Sequence, residues 1–109
     1  MNEVAFTDFK KSDLRAAKIL EVSEIPGADR LWHLTIDLGE AESRQLVAGI
    51  KAQYTREELL GKTIIVVANL EPRAIRGVES RGMLLAAKSG DTLSLLTLDK
   101  PLAAGSPIG

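Results

Sequence analysis

The chain has 109 residues, no cysteine and a formal net charge of −1. That length gives room for one core, so residues 1–109 are expected to form a single domain. The lack of cysteine excludes disulfides, thiolate metal sites and a cysteine nucleophile, and it suits a reducing compartment.

Hydrophobic residues at 45% against 27% charged set the balance of a globular protein rather than a disordered one. The N-terminal stretch mixes Glu3, Asp8, Lys10 and Lys11 with Phe6 and Phe9, which is no signal peptide. The longest apolar run, Ile64 to Ala68, is too short to cross a bilayer. The expectation is a soluble, cytoplasmic protein with no membrane partner.

Thr7 to Ser12 reads as a turn or helical turn that Phe6 and Phe9 can pack down. Leu14 to Ile25 is a long extended candidate whose apolar phase slips. Leu14, Ala16, Leu20 and Val22 share one parity, Ala17 and Ile19 the other, as a bulge or barrel corner would require. Pro26-Gly27-Ala28-Asp29 is a turn. Leu31 to Leu38 alternates cleanly, with Trp32, Leu34, Ile36 and Leu38 inward and His33, Thr35 and Asp37 outward. Gly39 to Ser43 turns the chain into a strand over Arg44 to Ile50.

A short helix follows, capped by Thr55 with Glu58 completing a capping box and Gly61 stopping it; Tyr54, just before it, is expected to be exposed. Thr63 to Leu70 is a continuous apolar strand. Gly82 to Ala87 and Thr92 to Leu98 make a last hairpin around Ser89-Gly90-Asp91. Pro101, Gly105 and Pro107 leave an irregular tail. About five strands with a helix between the third and fourth is the order of an OB-fold Greek-key barrel, although spacing alone does not separate it from other small β barrels.

Catalytic parts are missing. His33 is the only histidine and has no triad around it. Neither zinc nor calcium spacing occurs, and the scattered glycines form no phosphate loop or dinucleotide fingerprint. No enzyme activity, metal or cofactor is expected. Charge is more informative where it is local: between Pro72 and Gly82, Arg73, Arg76 and Arg81 face one Glu79. Such a patch is either an ordinary solvated loop or a contact for phosphate.

From Phe9 onward the sequence resembles the tRNA-binding domain family. That family comprises free-standing tRNA-binding proteins, C-terminal appendages of methionyl-tRNA synthetases and cytokine-like synthetase cofactors. The matching stretches are Asp8 to Arg15 with Lys18-Ile19, Pro26 to Leu31, Leu46 to Ile50, Gly61-Lys62, Val66 to Pro72, and Gly77 to Leu84. The resemblance implies an OB-fold with a C-terminal extension, and a homodimer that binds the outer corner of folded tRNA by shape. It places RNA contacts near Asn69, Leu70 and Pro72 and near Ser80, Gly82 and Met83, with Arg73, Arg76 and Arg81 alongside. Arg30 stands where the family usually has lysine, which keeps charge but changes hydrogen-bond geometry. Ala48 replaces a common serine.

The tRNA-binding candidates are therefore Arg30, Asn69, Arg73, Arg76, Ser80, Arg81 and Met83. Guanidiniums suit phosphate oxygens, Asn69 and Ser80 suit ribose or base edges, and Met83 offers a polarizable surface. A structural reading stands beside this one: Asn69 and Pro72 shaping a loop, Ser80 capping a turn, Gly82 bending a strand, Met83 in the core. With aromatics at only 4%, single-strand stacking is poorly supplied and folded RNA is favoured. The expected function is non-catalytic tRNA binding that assists an aminoacyl-tRNA synthetase, methionyl above all, in cis or in trans. The rival expectation is a dimeric protein-interaction or chaperone-like module, using Phe6, Phe9 and the apolar tail (Leu102, Ala103, Ala104 and Ile108).

Overall fold

Alternation decides the centre of the molecule. In the computed structural model, which describes all 109 residues, Trp32, Leu34, Ile36 and Leu38 are buried while His33, Thr35 and Asp37 are half-buried on the other face. A strand with one face in the core requires this period of two.

The elements run α1 (Phe6–Phe9), β1 (Leu14–Glu24), β2 (Trp32–Asp37), β3 (Arg44–Ala48), α2 (Arg56–Leu59), β4 (Thr63–Val67), β5 (Arg73–Ile75), β6 (Val78–Ser80), β7 (Met83–Leu84), β8 (Ala86–Ser89), β9 (Thr92–Leu95) and β10 (Pro107–Ile108). β3, β2, β1, β4 and β7 lie side by side in one antiparallel sheet. The far edge of β3 then meets the chain just before β7. Arg81 N–H donates to the Gln45 carbonyl at 2.9 Å, and Val47 N–H donates to the Ser80 hydroxyl at 3.0 Å. The sheet thus curls into a nearly closed OB-fold barrel, with α2 between its third and fourth strands.

The parity slip in β1 is a bulge. Ile19 faces Ile36 and Glu21 faces Thr35, so Leu20 is left unpaired and 46% exposed. The extra residue bends the strand, letting its first half pair with β4 and its second with β2. The apolar side chains of both halves join one core with Leu34, Ile36, Leu46, Ile64 and Val66. α2 begins as expected: the Thr55 hydroxyl accepts from Glu58 N–H, and the Glu58 carboxylate accepts from Thr55 N–H.

Several boundaries differ from the sequence expectation. Residues 73–80, assigned to no strand, form the β5–β6 hairpin. The expected strand Gly82 to Ala87 is divided, because the chain changes neighbours at Leu85. Leu85 N–H still donates to Ile65 on the barrel, while its carbonyl accepts from Leu96 N–H. Met83–Leu84 therefore stay with β4, and Ala86–Ser89 pair with Thr92–Leu95. Thr63 to Leu70 ends earlier, at Val67, because Asn69 and Leu70 are already exposed in the following turn.

The tail is largely irregular but not loose. Pro107–Ile108 pair with the start of β1. A Cβ on Gly39 would lie 2.6 Å from the Ala104 carbonyl oxygen, and one on Gly105 would lie 2.7 Å from that of Leu38. Only two glycines let these backbones approach so closely. Phe6 and Phe9 do not pack α1 down, being 71% and 46% exposed. Tyr54, expected at the surface, is half-buried against the core; its hydroxyl accepts from Leu95 N–H and its carbonyl from Trp32 Nε1.

Candidate nucleic-acid interface

Two loops meet at one end of the barrel. The first joins β1 to β2 and starts with Pro26-Gly27 in a tight turn closed by Ala28 N–H on the Ile25 carbonyl at 3.0 Å. The second runs from Ala68 to Gly82 and carries the β5–β6 hairpin. Its tip, Arg76-Gly77, has φ of 52° and 82°, and Ile75 faces Val78 across it. Two left-handed residues in a two-residue connection make a type I′ turn, whose twist matches that of the strands it joins. The Arg76 guanidinium lies over Gly27, 3.9 Å from where a Cβ would sit. These are the first-to-second and fourth-to-fifth strand connections of the barrel, the pair that flanks the oligonucleotide face in OB-folds.

Arg30, Arg73 and Arg76 are exposed and make no ion pair or side-chain hydrogen bond. The Arg81 side chain, 55% exposed, stands 3.7 Å from the still more exposed Glu79, a contact that water and salt screen strongly. Met83 is 47% exposed on β7 rather than in the core, and Leu70 beside the loop is 41% exposed. On the adjoining outer face of β2 and β3, Thr35 Oγ1 donates to Gln45 Oε1 at 3.1 Å and the His33 ring contacts the same oxygen.

The structure places two of the candidates differently. Ser80 is 5% exposed, and its hydroxyl serves Val47 N–H and the Gly82 carbonyl. The Asn69 carboxamide, on an exposed residue, also holds the chain: its oxygen accepts from Asp13 N–H at 2.8 Å, and its nitrogen donates to the Lys11 carbonyl. Both residues fasten the loop to the barrel. Gly82 is buried with φ of 122°, and a Cβ there would lie 3.0 Å from the Val67 oxygen.

A third fastener, Arg44, carried no signal in the sequence. Its Nη1 donates to the Ala68 carbonyl at 2.6 Å and reaches the Arg81 carbonyl at 3.4 Å, while Nε and Nη2 grip the Glu40 carboxylate at 2.7 and 2.9 Å. The hydrogen bond from Arg44, assisted by the charges of Arg44, Arg15 and Arg81, holds the Glu40 carboxyl below its ordinary pKa against a smaller opposing effect of burial. No three His, Cys, Asp or Glu side chains gather as a metal site, and no helix is long and apolar enough to cross a membrane.

An OB-type barrel with free guanidiniums on these two touching loops falls in the class of OB-fold binding modules. The kinship of the chain is narrower: residues 14–107 match the family model described as "Putative tRNA binding domain". The chain belongs to this tRNA-binding domain family, and it is homologous to the tRNA-binding domain of methionyl-tRNA synthetases.

It is 54% identical over 107 residues to methionine–tRNA ligase of Thermotoga maritima, covering 98% of this chain and 17% of the ligase. The enzyme of Thermococcus kodakarensis is 53% identical over 108 residues, covering 99% of this chain and 14% of that protein. The chain thus spans about a sixth or less of the ligases it matches. Among solved structures, a MetRS related protein from Pyrococcus horikoshii superposes with a TM-score of 0.92 at 32% identity, covering both chains fully. The chaperone CsaA of Bacillus anthracis follows at 0.89 and 29%, covering 99% of this chain and all of its own.

Proposed function

We propose that this chain binds folded tRNA at the outer corner of the L, chiefly through phosphates, and delivers it to an aminoacyl-tRNA synthetase. Methionyl-tRNA synthetase is the favoured enzyme, reached in cis or in trans, and the working form is a cytoplasmic homodimer. The carrying observation is the set of unpaired arginines, Arg30, Arg73 and Arg76, on two loops in contact. An arginine in the left-handed region at the hairpin tip costs roughly 1 kcal/mol relative to glycine. That expense is understandable where the guanidinium is needed at the tip. Raising the local tRNA concentration requires only modest affinity, because the second encounter becomes intramolecular.

Filter binding of bulk folded tRNA at two salt concentrations tests this reading. Native protein should bind with log K falling several units per log of salt, as neutralising about three to six phosphates requires. Arg73→Ala, Arg76→Ala and Arg81→Ala together should abolish it. A folded native protein that ignores tRNA would sink the proposal.

The second reading is a dimeric protein-interaction or chaperone-like module. It is favoured by the likeness to a protein called chaperone CsaA and by the exposure of Phe6, Phe9 and Leu102. Client binding that survives loss of the three arginines would support it.

A further inference from the structure

We propose that Arg44, held by Glu40, is a positioning residue that clamps both feet of the Ala68–Gly82 loop and so presents its arginines to RNA. The inference rests on the tRNA reading above. β5 has no strand partner but β6, and β6 meets the barrel where Ser80 binds Val47 on β3, so the β5 side of the hairpin depends on the loop's two feet for its position. The entry foot is Ala68 and the exit foot is Arg81, and one guanidinium spans their carbonyl oxygens.

Arg44 is badly placed as an RNA contact. Its side chain is only 14% exposed, and Nε, Nη1 and Nη2 are all engaged. The fork geometry suits a clamp, because Nε and Nη2 along one edge bind a carboxylate while Nη1, on another edge of the same plane, reaches backbone. Glu40 makes sense only in that light. A carboxylate beside Arg81 opposes phosphate binding by simple charge, yet here it fixes the plane of the clamp. Without it Arg44 is free to rotate, and the two carbonyls lose a charge-assisted donor. A loop that recognises RNA by shape loses affinity when it must be ordered on binding.

The test uses Arg44→Lys, which keeps the charge and loses the fork, and Glu40→Gln, which removes a negative charge from an accessible site. tRNA affinity is measured together with amide hydrogen exchange across residues 73–80. Both variants should bind tRNA roughly tenfold more weakly and exchange faster in the hairpin, with β1 and β2 protected as in the native protein. Tighter binding by Glu40→Gln, or native affinity in Arg44→Lys, overturns the clamp. So does hairpin exchange unchanged in both. If Arg44→Lys does not fold, Glu40→Gln alone decides by the sign of its effect on affinity. Should native protein fail to bind tRNA, the functional reading falls, and hairpin exchange still judges the clamp by the same criterion.

Discussion

The barrel wall and the Ala68–Gly82 loop are held by different forces. β1 pairs with β4 along its first half and with β2 along its second, and these strands put Ile19, Leu34, Ile36, Ile64 and Val66 at 0–1% exposure. The loop buries little beyond its ends, Ala68, Ser80 and Gly82, and is held by polar fasteners: Asn69 and Arg44 at its entry, Ser80 and Arg44 at its exit. Burial sums over area, whereas a fastener works only while every partner is in place. Stability and binding should therefore respond to different substitutions.

Leu34→Ala should show the largest effect, a loss of about 3–4 kcal/mol in chemical denaturation, with tRNA affinity intact while the protein stays folded. Equal losses in both would erase the distinction between the two regions. The three-arginine variant should do the reverse: binding weaker by about a hundredfold or more, melting temperature nearly unchanged. Ser80→Ala should fall between, costing about 1–2 kcal/mol because Val47 N–H is left without its partner. It should also weaken RNA binding; a variant hurt in binding but not in stability would return Ser80 to the RNA contacts.

Acid should loosen the loop before the barrel. Glu40 has its pKa lowered in the folded state, so its contribution is complete above the ordinary carboxylate range and vanishes as pH falls through the lowered value. Amide NMR shifts of Ala68 and Arg81, followed downward from neutrality, should move before those of Leu34 and Ile36. The smallest change is Thr55→Ala, about 1 kcal/mol in denaturation from the broken capping box, with tRNA binding unaffected.

How much the sequence disclosed follows the same division. β2 was legible because a single buried face imposes strict alternation from Trp32 to Leu38, and the bulge because Leu20 breaks it. α2 was legible because its capping box lies within four residues. The β5–β6 hairpin was not, since its only shielded apolar residues, Ile75 and Val78, are half-buried and its turn is Arg-Gly rather than Asn-Gly or Asp-Gly. The roles of Asn69 and Ser80 depend on partners 56 and 33 residues away, which no local pattern encodes. Arg44 likewise spans 24 and 37 residues to its two carbonyls. The exposed arginines were found by composition and by family resemblance, since neither needs a contact map.

The tail seated against Gly39 performs a service that its two-residue strand understates. β2 leaves β1 at Lys18, and from there back to Leu14 that edge is covered by residues 105–108. Ala16, fully buried, sends its N–H to the Ser106 carbonyl and receives Gly105 N–H on its own carbonyl. Removing residues 103–109 would uncover a short open margin of sheet flanked by apolar side chains, a ready template for a foreign strand. The last residues thus act as a selvedge, keeping the weave from fraying and keeping other chains from being sewn on.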